Sequence, residues 1–366
     1  MSFFSFNNVT ITGVSTAVPK NVRRSMDFAD EYGEESIQKY IDMTGIKEVH
    51  VSDKNQTVSD LGFVAAENLI KQKKLNREEI GLLVFGAHST DYRRPATACV
   101  LHKRLGLSKT CAAFDVSLGC SAFVYTAQIA ASMMENSDIQ KAIVIIGETV
   151  SKLANPKDRS VSMLFGDAGC AVLLEKKKSQ MSGSLYTDGT GFKAIIAPAG
   201  GFRNLNAPNT EFDFPDGIKR NLYNVWMNGT DVFTFTISDI PKAIKEYMEK
   251  SGTTIESYDY FIMHQANQYI HKQLSKKLKI PAEKIPLSLD RYGNASAASI
   301  PLTLCDAFGN EKENRHVTFL SCGFGVGLSW GVLASEIDTK DIFPIIETDD
   351  WFKEGLILSP EDWNNE

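Results

Sequence analysis

A long internal repeat is the feature that most constrains the fold. The segment AAENLIKQKKLNREEIGLLVFGAH, which ends at His88, parallels PKAIKEYMEKSGTTIESYDYFIMH, which ends at His264. Each copy contains an amphipathic helix, a polar loop, an apolar strand and a histidine at the end of that strand. The alignment continues downstream, where a glycine precedes Cys120 in the first copy and Asn294 in the second. We interpret the chain as two homologous α/β halves.

We place these halves at residues 1–178 and 179–336, and a C-terminal extension at 337–366. A chance similarity between two α/β units is the alternative, and ordered matches over this length disfavour it. The extension is acidic, yet it contains the apolar runs IFPII and GLILSP. Because disordered tails are poor in large apolar residues, we expect the extension to pack on the body or on a second subunit.

Apolar runs alternate with helical patterns in both halves, which is typical of an α/β fold. The predicted strands are 82–87, 142–147, 170–175, 260–264 and 317–323. The predicted helices are 59–72, 95–105, 121–135, 236–250, 267–278 and 296–308. Functional residues gather at the carboxyl ends of parallel strands. Two halves packed about a pseudo-twofold axis therefore bring Cys120 and Asn294 to face each other, with His264 at the neighbouring strand end.

Composition disfavours several functional classes. The net charge of −6 argues against general binding to nucleic acid or to an anionic membrane. No apolar run approaches the roughly 18 residues of a membrane span. The six cysteines include no C-x-x-C pair, so a metal site is not expected. The N-terminus has neither a basic leader nor a long apolar core, so we expect no signal peptide and a cytoplasmic protein.

Three polar residues are candidates for chemistry, and each has an ordinary explanation. Cys120, in FDVSLGCSAF, suits a buried structural thiol as well as a thiolate stabilised by a helix N-terminus. Asn294, in DRYGNASAAS, also suits a helix cap. The glycines of CGFGVG (322–327) suit a tight turn or a close approach of backbone to a ligand. Together with His264, these features favour a nucleophile surrounded by donors for an oxyanion.

The same stretches resemble the motifs of β-ketoacyl-acyl carrier protein synthase III. The main motifs are FDVSLGCSAFVYT, HQANQYI, DRYGNASAASIP and GFGVGLSWG, and the secondary ones are MTGIKEVHV, FGDAGCAVLL and MNGTDVF. The resemblance runs from about residue 8 to 336. It implies the thiolase fold, a five-layered αβαβα arrangement built from two duplicated halves, and a homodimer.

The resemblance also implies an acyltransferase of fatty acid biosynthesis. Cys120 would take an acyl group from a thioester, with the backbone N–H groups of Cys120 and Val326 as the oxyanion hole. His264 and Asn294 would then bind a malonyl thioester and stabilise the enolate left by decarboxylation, which attacks the acyl-cysteine. Coenzyme A and acyl-carrier-protein thioesters would be substrates, with no bound cofactor.

Three further positions carry weaker implications. Asn267 and Gly229 match residues that line the pantetheine tunnel of the family. Arg94 stands where an apolar residue of the partner subunit often closes the acyl pocket, and this departure allows an unusual or polar acyl group.

A basic stretch, HKQLSKKLKIPAEK, contains Lys272, Lys276 and Lys277 in an otherwise acidic chain. Acyl carrier protein is acidic, so these lysines are candidates for its docking face. A solvated helix surface explains them equally well.

Several rival functions remain open. An acyltransferase of the same fold that transfers the acyl group to oxygen or nitrogen is the nearest, and hydroxymethylglutaryl synthase would need a carboxylate base. A thiolase would need a second catalytic cysteine, for which Cys322 is the candidate. A papain-like protease usually has tryptophan after the nucleophile, whereas Ser121 and Ala122 follow here. A non-catalytic scaffold is also possible, because fold does not fix function.

Overall fold

A computed structural model describes residues 2–214 and 216–364, so position 215 and the last two residues of the predicted extension lie outside the described residues. Numbered in chain order, the strands are β1 Ser2–Phe6, β2 Val9–Pro19, β3 Val22–Arg24, β4 Glu48–His50, β5 Ile80–Gly86, β6 Ala112–Val116, β7 Lys141–Glu148, β8 Ala168–Lys176, β9 Met181–Thr187, β10 Ile195–Ile196, β11 Phe212–Asp213, β12 Lys219–Arg220, β13 Trp226–Met227, β14 Tyr260–Met263, β15 His316–Gly325, β16 Ser329–Asp338 and β17 Ile346–Thr348. The α-helices are α1 Ala29–Tyr32, α2 Glu34–Thr44, α3 Val58–Lys73, α4 Thr97–Arg104, α5 Ala122–Glu135, α6 Gly229–Ser251, α7 Gln268–Leu278, α8 Leu289–Tyr292 and α9 Ser299–Phe308.

Two large sheets share one core topology. Their strand orders are β17-β2-β8-β7-β5-β6 and β1-β9-β16-β15-β14. In the first sheet β8 runs antiparallel to β2 and β7, and β5 lies parallel to β7. In the second sheet β16 runs antiparallel to β9 and β15, and β14 lies parallel to β15. The repeated order and direction agree with the repeat in the sequence.

Helices complete five layers around these sheets. Helix α5 contacts β5 and β7 of the first sheet and β15 and β16 of the second, and α9 contacts β2, β8 and β14. Both helices therefore lie between the sheets. Helices α3 and α4 contact the first sheet, α6 contacts the second sheet, and α7 packs on α6. The predicted αβαβα architecture is confirmed.

Strand β5 illustrates why the central strands read as continuous apolar runs. Leu82 and Val84 belong to the hydrophobic cluster that contains α5, whereas Leu83 and Phe85 belong to the cluster that contains α3. All four side chains are completely buried. Because successive side chains of a strand point to opposite faces, a strand covered on both faces needs apolar residues at every position.

Helix α6 differs most from its prediction. We expected a helix over 236–250, and it begins instead at Gly229. The side chain of Asn228 caps it by accepting hydrogen bonds from the N–H groups of Thr230 and Asp231. The early turns contain several β-branched residues, which lower helix propensity and obscured the true start. This extra length places Gly229 at the helix N-terminus.

The predicted extension begins inside the second sheet, because β16 continues to Asp338. Further along, it lies against the first half of the chain. Strand β17 pairs in parallel with β2, with Ile346 opposite Ala17. Beyond it, the Phe352 N–H donates to Asp60 Oδ1 at 2.9 Å. The guanidinium of Arg104 lies 4.7 Å from the centroid of the Phe352 ring. A strand pair, a hydrogen bond and a cation–π contact thus hold this segment in place.

Among the described residues, no helix combines the length and apolar content needed to cross a bilayer. The same residues contain no group of three or more His, Cys, Asp or Glu side chains arranged to hold a metal ion. All six cysteines are free, and five of them are buried. Local geometry must therefore separate a reactive thiol from structural ones.

Candidate active site

A cavity of about 710 Å³ is lined by the predicted nucleophile and by both of its predicted partners. Cys120, His264 and Asn294 all line it. They arrive from three places in the fold: the N-terminus of α5, the end of β14 and the turn before α9. The cavity therefore draws on both halves of the chain, as the repeat predicts.

Cys120 lies just before α5 and is 8% exposed. Its Sγ is 3.4 Å from the hydroxyl of Ser296. Burial raises the pKa of the Cys120 thiol, and the Glu148 carboxylate acts in the same direction. Hydrogen bonds from Ser296 and from the backbone N–H groups of Val326 and Cys120 itself oppose that rise. Donors therefore converge on the sulfur.

Two glycines allow close packing around this thiol, and one of them brings the backbone against the thiol itself. A Cβ on Gly325 would lie 2.7 Å from the Cβ and 2.9 Å from the Sγ of Cys120. A Cβ on Gly119 would lie 2.8 Å from Cγ1 of Val326. These separations are well below the usual contact of roughly 3.5 Å between carbon atoms. Close backbone approach, rather than a turn alone, therefore accounts for Gly325 in CGFGVG.

His264 follows β14 and is 3% exposed. Its Nδ1 lies 3.0 Å from the hydroxyl of Ser299, and its ring stands edge-on to Phe324, with ring centroids 5.3 Å apart. Burial lowers the pKa of His264 to about 3, the nearby His271 acts in the same direction, and a hydrogen bond from the imidazole to the backbone of Ser296 opposes both. The imidazole is therefore neutral near pH 7.

Asn294 is held by both its backbone and its side chain. Its N–H donates to the carbonyl of Leu164 at 2.9 Å, and its Oδ1 accepts the N–H of Ser296 at 3.0 Å. The side-chain oxygen is thus engaged, and the amide nitrogen remains as a donor for the cavity. Asn294 closes a tight turn, while α9 begins only at Ser299.

Of the three less specific site predictions, two residues line the cavity and one lies at the surface. Asn267 lines the cavity and caps α7, where its side chain accepts the Ile270 N–H at 2.8 Å. Gly229 also lines it, and no atom lies within 4 Å of the position of an added Cβ. Arg94 is exposed and is not among the lining residues of its own chain.

The three candidate docking lysines are exposed on α7 and lie outside the cavity. Lys272 and Lys276 are one helical turn apart. The ammonium of Lys277 donates to the Ile237 carbonyl at 2.8 Å, so this side chain is tied to α6. Lys272 and Lys276 remain the better candidates for contact with an acidic partner.

Cys322 does not reach the cavity. Its side chain is completely buried within the cluster formed by α6, α7 and the second sheet. Burial raises its pKa, and its contact with the site is through its carbonyl, which accepts the His264 N–H at 2.9 Å. This placement removes the second thiol that a thiolase mechanism would use.

The sequence predictions did not include four polar residues that line the cavity: His88, Glu148, Thr236 and Ser296. The Glu148 carboxylate accepts the N–H groups of His88 at 2.6 Å and of Ser89 at 3.1 Å. Burial raises the pKa of Glu148, and His88 acts against that rise. His88 occupies the position in the first repeat that His264 occupies in the second. This equivalence could have identified His88 as a candidate site residue. A single acidic residue after an apolar strand gave no comparable signal for Glu148.

Two buried imidazoles are expected to make stability fall in acid. Burial lowers the pKa to about 3 for His264 and to about 4 for His271, from 6.5. Between these values the unfolded chain binds protons that the native rings do not. The free energy of unfolding should therefore be highest above pH 6.5 and fall as the pH is lowered, by up to about 1.4 kcal/mol per pH unit for each ring.

A His271→Leu variant isolates one of these rings. Among the described residues, neither ring nitrogen of His271 makes a well-aligned hydrogen bond, and the backbone of His264 raises its pKa only in part against burial. We expect the variant to be more stable near pH 7, by about 1–3 kcal/mol, because an unsatisfied buried polar group is removed. Urea unfolding between about pH 5 and pH 7 should show a shallower pH slope. Parallel slopes would contradict the assignment of His271 as a buried neutral ring.

Comparison with known proteins gives a consistent result. The model of the family described as 3-oxoacyl-[acyl-carrier-protein (ACP)] synthase III matches residues 114–189, and the model of its C-terminal part matches residues 248–337. The β-ketoacyl-[acyl-carrier-protein] synthase III of Caldanaerobacter subterraneus subsp. tengcongensis is 34% identical over 323 residues, covering 87% of this chain and 95% of the relative. The enzyme of that name from Desulfitobacterium hafniense strain Y51 is 35% identical over 327 residues, covering 88% and 96%.

Solved structures agree with the sequence relatives. The crystal structure of a 3-oxoacyl-(acyl-carrier protein) synthase from Burkholderia xenovorans LB400 has a TM-score of 0.88 and 31% identity, covering 94% of this chain and 99% of that one. The Thermus thermophilus synthase III has a TM-score of 0.76 and 30% identity, covering 89% and 98%. The described fold and the sequence relatives thus point to the same group of proteins.

Proposed function

Because the chain belongs to the β-ketoacyl-[acyl-carrier-protein] synthase III family, we propose that it condenses an acyl thioester with a malonyl thioester. The convergence of Cys120, His264 and Asn294 on one cavity carries this proposal. The chain is then a condensing enzyme of fatty acid biosynthesis with a thiolase fold. Its product is a β-ketoacyl thioester two carbons longer than the acyl group.

In the first half-reaction Cys120 becomes acylated. Its sulfur attacks the thioester carbonyl, the bond between that carbon and the carrier sulfur breaks, and the carrier leaves as a thiol with the cysteine proton. The backbone N–H groups of Cys120 and Val326 are close enough to Sγ to affect its pKa. They are therefore suitably placed to hold the oxyanion of the tetrahedral intermediate.

In the second half-reaction a malonyl thioester loses carbon dioxide. The side-chain amide of Asn294 and the imidazole of His264 donate hydrogen bonds to its carbonyl oxygen, which carries the enolate charge. The enolate carbon attacks the acyl carbonyl, and the released Cys120 thiolate takes a proton from solvent. Two neutral donors suit this step, and the burial that keeps His264 uncharged supports the assignment.

We propose coenzyme A and acyl carrier protein as the carriers, with no resident cofactor. Asn267 and Gly229 line the cavity where a pantetheine arm would lie, and the exposed Lys272 and Lys276 suit an acidic carrier protein. A homodimer would bring Arg94 of the partner subunit to the acyl pocket. Six free thiols suit a reducing compartment such as the cytoplasm.

Intact-protein mass spectrometry tests the proposal. The chain is incubated with a panel of acyl-coenzyme A and acyl-carrier-protein thioesters, with Cys120→Ala as the control. We expect the mass of one acyl group to be added to the unmodified chain alone. Malonyl-carrier protein should then remove it and yield a β-ketoacyl product.

Other outcomes would overturn the proposal in distinct ways. Removal of the acyl group only by an alcohol or an amine would assign an acyltransferase without condensation. An adduct on the Cys120→Ala variant would place the nucleophile elsewhere. A folded chain that takes no acyl group from any donor would exclude the synthase activity for those substrates.

A further inference from the structure

Residues 188–228, which we call the strap, connect β9 to α6 and form part of the cavity. Two short strand pairs, β10 with β13 and β11 with β12, give the strap its internal structure. It contributes these lining residues: Ile195, Ile196, Ala197, Gly201, Val225 and Met227. The shape of the cavity therefore depends on where the strap lies.

The apolar lining of the cavity comes from two hydrophobic clusters. In one of them Val225 lies with Leu164 and Phe165, against which Ile195 and Met227 of the strap also pack. In the other, Val232, Phe233 and Ile270 belong to the cluster of α6 and α7.

Gly229 and Asn267, where we place the pantetheine arm, are in or next to the elements of the second cluster. The other apolar cluster of the lining, which we call the strap wall, consists of Leu164, Phe165, Ile195, Val225 and Met227. It lines the same cavity as Cys120 and is available to an acyl group on that residue. This wall consists of aliphatic and aromatic side chains, so it suits an apolar acyl chain.

A buried arginine joins the strap to the body of the protein. Arg220 is completely buried, and its Nε donates to Oδ2 of Asp158, a completely buried residue in the loop after β7. Its two terminal nitrogens each donate to the carboxylate of Asp216 at 2.8 Å. The guanidinium also lies 5.2 Å from the centroid of the Phe214 ring. One side chain thus organises the hairpin of the strap and fixes it to the body.

Three other hydrogen bonds join this part of the strap to the body. The Leu153 carbonyl accepts the Val225 N–H at 3.1 Å and the Asn224 amide at 3.4 Å, and the Asn155 amide donates to the Lys219 carbonyl at 2.9 Å. All three bonds are neutral, whereas Arg220 and Asp158 form a buried ion pair, in which loss of one partner leaves an uncompensated charge. A lysine would not replace this arginine, because it lacks the planar fork that serves two carboxylates at once.

We propose that Arg220 is a positioning residue that sets the strap wall and thereby the size of the apolar acyl group accepted by Cys120. The acyl group as the substrate in this inference rests on the proposed function. The effect of Arg220 on access to the Cys120 thiol does not depend on that function.

N-alkylmaleimides of increasing chain length probe that access directly. The thiolate of Cys120 adds to the ring double bond, the neighbouring carbon takes up a proton, and no group leaves. Mass spectrometry with peptide mapping follows modification of Cys120, and Cys120→Ala supplies the background. The measured quantity is the ratio of rates for a long and a short alkyl chain.

The test compares Arg220→Lys with the matched control Arg203→Lys, an exposed arginine of the same strap. We expect the rate ratio to change at least about fivefold in Arg220→Lys, since each methylene in a fitted pocket discriminates by about 10-fold or more. The control should keep the ratio of the unmodified chain. With acyl donors, Arg220→Lys should raise KM for the preferred acyl group and leave kcat and malonyl decarboxylation nearly unchanged.

The outcomes separate this inference from the proposed function. A folded Arg220→Lys variant with an unchanged ratio would overturn the inference. Should that variant fail to fold, Asp216→Ala removes both outer hydrogen bonds of Arg220 at an exposed residue, and an unchanged ratio there would also overturn the inference. The unmodified chain could take up no acyl group while Arg220→Lys still changes the ratio of maleimide rates. That result would support the role of Arg220 in positioning the strap wall and would contradict the proposed synthase activity.

Discussion

A Gly325→Ala variant is expected to acylate Cys120 at least about 100-fold more slowly, because a displacement of about 1 Å in a reacting group costs a factor of that order. The new Cβ would stand 2.7 Å from the Cβ and 2.9 Å from the Sγ of Cys120. Neither atom is the end of a long flexible side chain. Either the end of β15 or the N-terminus of α5 must therefore move. Intact mass measured over a single turnover gives the acylation rate.

Gly189→Ala is the matched control for that variant. Gly189 is exposed, and no atom lies within 4 Å of its added Cβ. It should acylate at the rate of the unmodified chain, and circular dichroism should show both variants folded. A Gly325→Ala variant with an unchanged acylation rate would mean that the backbone there yields freely, or that another group is the nucleophile.

The three predicted residues that the structure brings together in one cavity share a simple property. Cys120, His264 and Asn294 each follow or precede an element whose apolar pattern is unambiguous, and two of them occupy equivalent places in the repeat. The carboxyl ends of parallel strands lie at one edge of a sheet. Local sequence patterns were therefore enough to predict that Cys120, His264 and Asn294 line one cavity. Strand β5 was predictable for a similar reason. Its side chains are buried alternately on the two faces of the sheet, so it appears in the sequence as a continuous apolar run.

The residues that sequence analysis missed depend on contacts between distant segments. Arg220 looks like an ordinary charged residue until the fold buries it beside Asp158, 62 positions earlier. Glu148 becomes a buried carboxylate of the cavity only because the fold brings the N–H groups of His88 and Ser89 to it. The start of α6 was misplaced for a related reason, since packing against the second sheet outweighs weak local propensity. Burial and partner identity are tertiary properties that no local pattern reports.

An Asn294→Asp variant should separate the two half-reactions. The new side chain has the same shape, and its Oδ1 can still accept the Ser296 N–H. The amide donor becomes an acceptor, and a negative charge faces the developing enolate. Loss of one oxyanion donor costs about 10²–10³ in rate, so we expect malonyl decarboxylation and condensation to fall by at least about 10³-fold with the added charge. Carbon dioxide release measures this step.

Acylation of Cys120 should fall much less in the same variant, because the proposed oxyanion hole of that step consists of the backbone N–H groups of Cys120 and Val326. Asn136→Asp, an identical change at an exposed residue after α5, controls for the added charge. A protonated aspartic acid regains a donor, so decarboxylation by Asn294→Asp should partly recover as the pH is lowered. If both half-reactions slowed equally and did not recover at lower pH, Asn294 would have a structural role in the turn before α9. It would then not be a hydrogen-bond donor to the enolate.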